Sequence, residues 1–158
     1  MLIELPIAWV IVLNIAGWPL LQFGLAWTFT QMPVAWFNAP ASGSWERGGR
    51  FYESVFAIKA WKDRLPDAAR WFDAGFPKGT LAAIAPDYLR RFIAETWRGE
   101  LCHWAALACT PLFFLWNPCW ADLLMIAYAL AANLPCILAQ RYNRLRLRRL
   151  LSRQCRRS

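Results

Sequence analysis

The stretch Glu95-Thr-Trp-Arg-Gly-Glu-Leu-Cys-His-Trp104 gathers two carboxylates, an arginine and the only histidine of the chain within ten residues. On a helix, Glu95, Gly99 and His103 fall in one i, i+4, i+8 row, and Glu100 sits one turn before His103. Gly99 leaves room in that row for another helix or a ligand. These residue types suit general-base chemistry, in which His103 takes a proton from a substrate hydroxyl while Glu100 or Glu95 orients the ring. A charge-paired Arg98 or Arg141 could hold an anionic headgroup or stabilise a developing oxyanion. Other chemistries fit less well. Glu100-Leu-Cys-His103 has the Glu-x-x-His spacing of di-iron bundles, but such sites need a second copy of the motif, so no metal centre is expected. The five cysteines, at 102, 109, 119, 136 and 155, lack metal-binding spacing. Cys102 and Cys109 share a helix face and read as small packing residues, whereas Cys155, among arginines, is a candidate for palmitoylation. A serine-based triad is hard to assemble, because the membrane-proximal core offers no obvious serine. The plainer alternative is an interfacial helix whose charges face water and headgroups, with His103 as a polar tip.

The elements that must position these residues follow from composition. Of 158 residues, 58% are hydrophobic and 16% aromatic, with 11 tryptophans, which is too apolar for an ordinary soluble domain and typical of a chain with bilayer interfaces. The expected fold is an all-α integral membrane protein, read as a single membrane domain over 1–158. It should have about three transmembrane helices, a helical hairpin plus an N-terminal span, with a cytoplasmic interfacial helical segment. Residues 5–29 carry no charge and are long enough to cross the bilayer. Asn14 and Gln22 in this stretch should bond to neighbouring helices, and Pro19 predicts a kink. A cleaved signal peptide is disfavoured, since there is no basic n-region and the apolar run is too long. Residues 31–100 form a polar segment with loop signals at Pro33, Pro40, 42–44 and Gly48-Gly49. Within it, 51–61 is amphipathic, with Phe51, Val55 and Ile58 on one side, as for a helix lying in the membrane interface. The aromatic and charged stretches at 61–66 and 71–78 suit either a surface pressed on headgroups or a small folded cap. A helix should start at Asp87 as N-cap and run on into the membrane.

Spans at 101–116 and 121–139 then form a hairpin about Asn117-Pro118. In an antiparallel pair turning there, facing positions have numbers summing to about 236. His103 should lie near Asn133, Glu100 near Cys136 and Glu95 near Arg141. Pro111 and Pro135 each remove a backbone hydrogen bond within a span, freeing a carbonyl. Eight arginines follow residue 140, so the basic tail 140–158 should be cytoplasmic, with 31–100 on the same side and the N-terminus outside. Two spans with a re-entrant first segment remain the alternative topology. The net charge of +8 beside apolar segments reads as anchorage on anionic membrane lipids, with no nucleic acid as partner.

The ordered set Trp61-Lys-Asp-Arg-Leu-Pro66, Gly75-Phe-Pro-Lys78, Glu95 to Trp104, Leu115-Trp-Asn-Pro118, Asn133-Leu-Pro135 and Gln140-Arg-Tyr-Asn-Arg144 resembles the glycosyl-4,4'-diaponeurosporenoate acyltransferases over roughly residues 51–150. The resemblance implies a membrane enzyme that esterifies a sugar hydroxyl of a carotenoid glucoside with a fatty acyl group, the last step towards a staphyloxanthin-type pigment. It brings no assigned catalytic residue, so site roles rest on chemistry. His103, Glu100 and Glu95 are the catalytic candidates. Arg98, Asn133, Gln140, Arg141, Tyr142, Asn143 and Arg144 are the substrate-binding candidates. No bound cofactor is expected. The acyl donor, acyl-CoA or an acyl carrier protein, enters as co-substrate beside a lipid-soluble glycoside acceptor, in the cell membrane. The competing reading is a non-enzymatic membrane subunit that scaffolds a protein partner or binds anionic lipid.

Overall fold

The computed structural model describes residues 2–65 and 85–156, and all the regular structure among them is helical. Helix α1 spans Ile7–Gln31, α2 Arg50–Phe56, α3 Pro86–Ala108 and α4 Cys119–Gln154. The stretch at 71–78 and the Gly75 motif lie outside the described residues. Helices α1 and α4 are long and apolar enough to cross a membrane. Few of their side chains are buried: Ile7, Trp9, Ile11, Leu20, Trp120, Leu123 and Leu124 all face outward. In water such an apolar girdle would drive aggregation, whereas in hydrocarbon it is the solvated surface.

The helices pack through small and aromatic residues. Trp18 of α1 is buried against Phe113, Met125 and Ala129, its ring 5.5 Å from that of Phe113. One turn further along α1, Gln22 reaches Asn133, one turn beyond Ala129, so α1 and α4 run parallel. Between them α3 runs the opposite way. The N–H groups of Leu2 and Ile3 both donate to the Leu115 carbonyl at 2.8 Å, which holds the start of α1 at the hairpin turn. There Asn14 and Asn117 exchange amide hydrogen bonds of 2.8 and 3.0 Å, and Trp116 Nε1 donates to Asn14 Oδ1 at 3.0 Å. The expectation that Asn14 and Gln22 bond to neighbouring helices holds for Gln22, whereas Asn14 bonds to the turn that joins two of them. Pro19 lies inside α1, and the helix continues past it as one element.

Several local expectations are corrected. Pro86, not an Asp87 cap, opens α3: it occupies the first turn, where its missing N–H is one of the unpaired donors anyway. Asp87 instead pairs with Arg90 at 2.7 Å. The α-helix does not continue to 116. Pro111 has no N–H for the Leu107 carbonyl, and the chain tightens into a 3-10 turn at Thr110–Leu115. Pro135 is accommodated within an unbroken α4.

The amphipathic segment at 51–61 also divides differently. Helix α2 stops at Ala57, whose φ of 46° is left-handed, and a 3-10 turn at Ile58–Ala60 follows. Tyr52 and Ile58 are buried against Tyr142 and Leu145 of α4, while Val55, expected on the same side as Ile58, is exposed. Gly49, at φ +105°, lets the chain pass so close to α4 that an added Cβ would lie 3.2 Å from Tyr142. The C-terminal basic stretch remains helical to Gln154. Part of it faces inward: Arg148 donates to the carbonyls of Ala39 and Pro40, and Arg149 donates to that of Arg47. With Arg98 donating to the Met32 carbonyl at 3.3 Å, these guanidinium groups strap the connection between α1 and α2 onto the bundle.

Candidate functional site

His103 lies where the apolar part of the bundle gives way to charge. Its Nδ1 is 2.9 Å from Asn133 Oδ1, the pairing that a turn at Asn117-Pro118 predicts. Asn133 is fully buried, and its Nδ2 donates to the Ala129 carbonyl at 2.9 Å. A carbonyl can only accept, so this bond fixes which way the amide points. Oδ1 then faces His103 and can only accept, so Nδ1 carries the ring proton. In the neutral imidazole, Nε2 is therefore the basic nitrogen. Gln22 Nε2 donates to the same Oδ1 at 3.2 Å, and the imidazole-amide link thus joins α1, α3 and α4.

Beside it lies a layer of buried ion pairs. Glu95 and Arg98 pair at 2.6 Å within α3, with the Arg98 guanidinium over the Phe37 ring. Glu100 pairs with Arg144 at 2.6 Å and approaches Arg141 at 3.8 Å. Arg141 also donates from Nε to Glu46 Oε1 at 3.0 Å. Helical side chains lean towards their own N-terminus. In an antiparallel pair, Glu100 and Arg144 therefore lean towards one another, and their charged ends meet although Cys136 is the residue opposite Glu100 by simple register. Arg144 lies over the Trp97 ring at 5.0 Å. Buried charges are tolerated only when paired and hydrogen-bonded.

The carboxylates expected to orient His103 are thus held by arginines, and Asn133 contacts the ring. Arg98 and Arg144 are likewise spent on buried carboxylates. Arg141, 35% exposed at its side chain, is the more open of these guanidinium groups. Tyr142 is buried and donates to Glu53 at 2.7 Å, a contact that holds α2. Gln140 keeps its Oε1 buried without a hydrogen-bond partner among the described residues. Asn143 is half-buried on the same helix. Among the described residues no group of three His, Cys, Asp or Glu side chains could hold a metal ion.

Sequence reasoning passed over Glu46 and Tyr52. Glu46 is buried, accepts from the Tyr52 hydroxyl at 2.8 Å and from the Gly43 N–H at 2.8 Å, and pairs with Arg141. Burial, and then the bond to Glu46, push the Tyr52 phenol well above its ordinary value of 10.0. Lys59 and Tyr142, bonding to Glu53, hold its carboxyl below the usual range. A glutamate three residues after Gly43 was the available signal for the Glu46 turn.

With this geometry in hand, comparison with known proteins adds a chemistry. A family model described as glycosyl-4,4'-diaponeurosporenoate acyltransferase matches residues 33–153. Proteins of that name from Staphylococcus aureus strains USA300 and Newman are each 31% identical over 138 residues, covering 85% of this chain and 83% of theirs. The relative from the bovine strain RF122 is similar to the same extent. No solved structure matches.

Proposed function

The chain belongs to the glycosyl-4,4'-diaponeurosporenoate acyltransferase family and is an enzyme of the acyltransferase class, and from that premise we propose a membrane-bound O-acyltransferase that esterifies a sugar hydroxyl of a carotenoid glycoside with a fatty acyl group. The observation that carries the proposal is the Asn133–His103 contact of 2.9 Å, set between the apolar girdle and the layer of ion pairs. An acyl chain and a polyene dissolve among lipid tails, while a sugar stays at the interface. A base at this depth is where an acceptor hydroxyl and an acyl carbonyl can meet.

In the proposed reaction His103 Nε2 takes the proton of the sugar hydroxyl as its oxygen attacks the thioester carbonyl of an acyl-CoA or acyl carrier protein. The tetrahedral intermediate collapses with loss of the thiolate, which recovers the proton from the imidazolium, so the histidine ends neutral. Asn133 keeps the ring in the Nδ1–H tautomer that this needs. Arg141 is the candidate for the developing oxyanion, and the buried Gln140 Oε1 is an acceptor that a further substrate hydroxyl would satisfy. Glu95 and Glu100 serve indirectly, by fixing Arg98, Arg141 and Arg144.

The proposal includes three membrane crossings. Helices α1 and α4 run parallel, so if both cross, the chain between them must return, and α3 with the turn at Thr110–Leu115 supplies that return. Charge supports the orientation. Residues 1–46 and 99–140 contain no Lys or Arg, and all 18 lie in 47–98 and 141–157. The described part of both stretches sits at the end of the bundle away from the hairpin turn. That end is proposed to be cytoplasmic in the cell membrane.

Mass spectrometry of pigments and lipids from cells that make the glycoside, with and without this chain, tests the function. The expected result is an acylated glycoside only with the chain present, and accumulation of the unacylated glycoside without it. Identical profiles in both would overturn the proposal.

A further inference from the structure

Gln22 lies on α1, before the residues 33–153 that the family model matches. It is nevertheless in contact with the proposed site. Its Nε2 donates to Asn133 Oδ1 at 3.2 Å, the oxygen that His103 Nδ1 meets at 2.9 Å. We infer that Gln22 is a positioning residue for the acyl transfer, acting through Asn133 to hold the His103 ring, and that α1 is therefore a working part of the active site as well as an anchor.

The argument is one of hydrogen-bond direction. The Asn133 amide can present either its oxygen or its nitrogen to His103. With the nitrogen towards the ring, Nδ1 must accept, the ring proton moves to Nε2, and the nitrogen that should take the substrate proton is already protonated. Two contacts hold the productive orientation. One is the bond from Asn133 Nδ2 to the Ala129 carbonyl. The other is the bond from Gln22 Nε2 to the oxygen, which a turned Asn133 amide would break unless the Gln22 amide turned with it. Gln22 also limits sideways movement of the amide, because it approaches from a different helix than His103. Asn14 gives α1 further hydrogen bonds to the hairpin, at the turn, and these hold α1 in place without Gln22. Removing Gln22 should accordingly disturb the chemistry more than the fold.

The inference rests on the reading of His103 as the base, and the test separates the two. Purified protein in liposomes is assayed for ester formation from a carotenoid glucoside and an acyl thioester, comparing wild type, Gln22→Leu, Gln22→Glu and His103→Ala. Gln22→Leu puts an apolar side chain of related shape in its place and removes the donor. It is expected to lower kcat about tenfold, the equivalent of one hydrogen bond, with KM for both substrates and the thermal unfolding midpoint unchanged. Gln22→Glu keeps the side-chain length and, as the neutral acid, an O–H to donate, and should stay within about threefold of wild type. Loss of activity in His103→Ala with full activity in Gln22→Leu would overturn the role of Gln22 alone. Full activity in His103→Ala would overturn the base and this inference with it. A Gln22→Leu defect matched in Gln22→Glu and accompanied by a lowered unfolding midpoint would assign Gln22 to structure and overturn the positioning role.

Discussion

At the scale of single residues, the decisive feature is that Asn133 serves two donors with one oxygen. Replacing it with leucine removes the acceptor that the half-buried His103 and Gln22 side chains share, at a cost of about 1–3 kcal/mol in all. Asn133→Leu should therefore lower both stability and kcat. A tenfold or greater fall in kcat, roughly 1.4 kcal/mol of barrier, is expected in the liposome assay, together with a lower unfolding midpoint in detergent. The pairing of His103 with Asn133 was legible in the sequence because a hairpin with a marked turn has a countable register. Orientation of the ring by Asn133, in place of Glu100 or Glu95, was not, because helical register gives neighbours and leaves open which arginine claims a carboxylate. Gln22 was legible only as a polar residue needing some partner.

At the scale of elements, α3 and α4 are joined by buried charge as well as by apolar contact, the latter through Leu89 and Phe92 against Leu147. Glu100 and Arg144 have side-chain exposures of 2% and 4%, low enough that neither has water as an alternative partner. Arg144→Met should destabilise the protein by about 3–5 kcal/mol, because it leaves a buried carboxylate with Arg141 at the longer distance. Adding Glu100→Leu should restore most of that loss, since an apolar pair of similar volume replaces the ion pair. Denaturant titration of the wild type, the two single variants and the double variant in detergent measures both. The strap over α4 has its own signature. Tyr52 has a folded-state pKa above its ordinary value of 10.0, so its contribution to stability is fully present below about pH 10 and is lost as pH rises through the higher folded value. The unfolding midpoint should fall above about pH 10 in the wild type and less steeply in Tyr52→Phe, as a thermal series across pH would record. Apart from the local turn signal at Gly43 and Glu46, none of this strap was readable beforehand. Contacts such as Arg141 with Glu46 join a loop to a helix 95 residues away in the chain, and no periodic pattern marks them.

At the scale of the whole molecule, three apolar stretches, a turn and a basic end were plain in composition alone. The helical architecture and the two long apolar helices agree with that reading. The inward course of part of the basic end was hidden, because arginines that bind lipid and arginines that bind backbone carbonyls look the same in sequence. The proposed orientation has a direct check, since Cys119 and Cys155 are both exposed and lie at opposite ends of α4. In variants keeping one cysteine, a membrane-impermeant maleimide added to intact cells should label Cys119, and Cys155 should react only after lysis. The most direct test of the account is acyl transfer by purified His103→Gln in liposomes supplied with carotenoid glucoside and acyl thioester. Glutamine can keep a donor towards Asn133 but is no base, so the unfolding midpoint should stay near that of the wild type while kcat falls by about 10²–10⁴-fold. A folded His103→Gln protein that forms the ester at the wild-type rate would contradict the account.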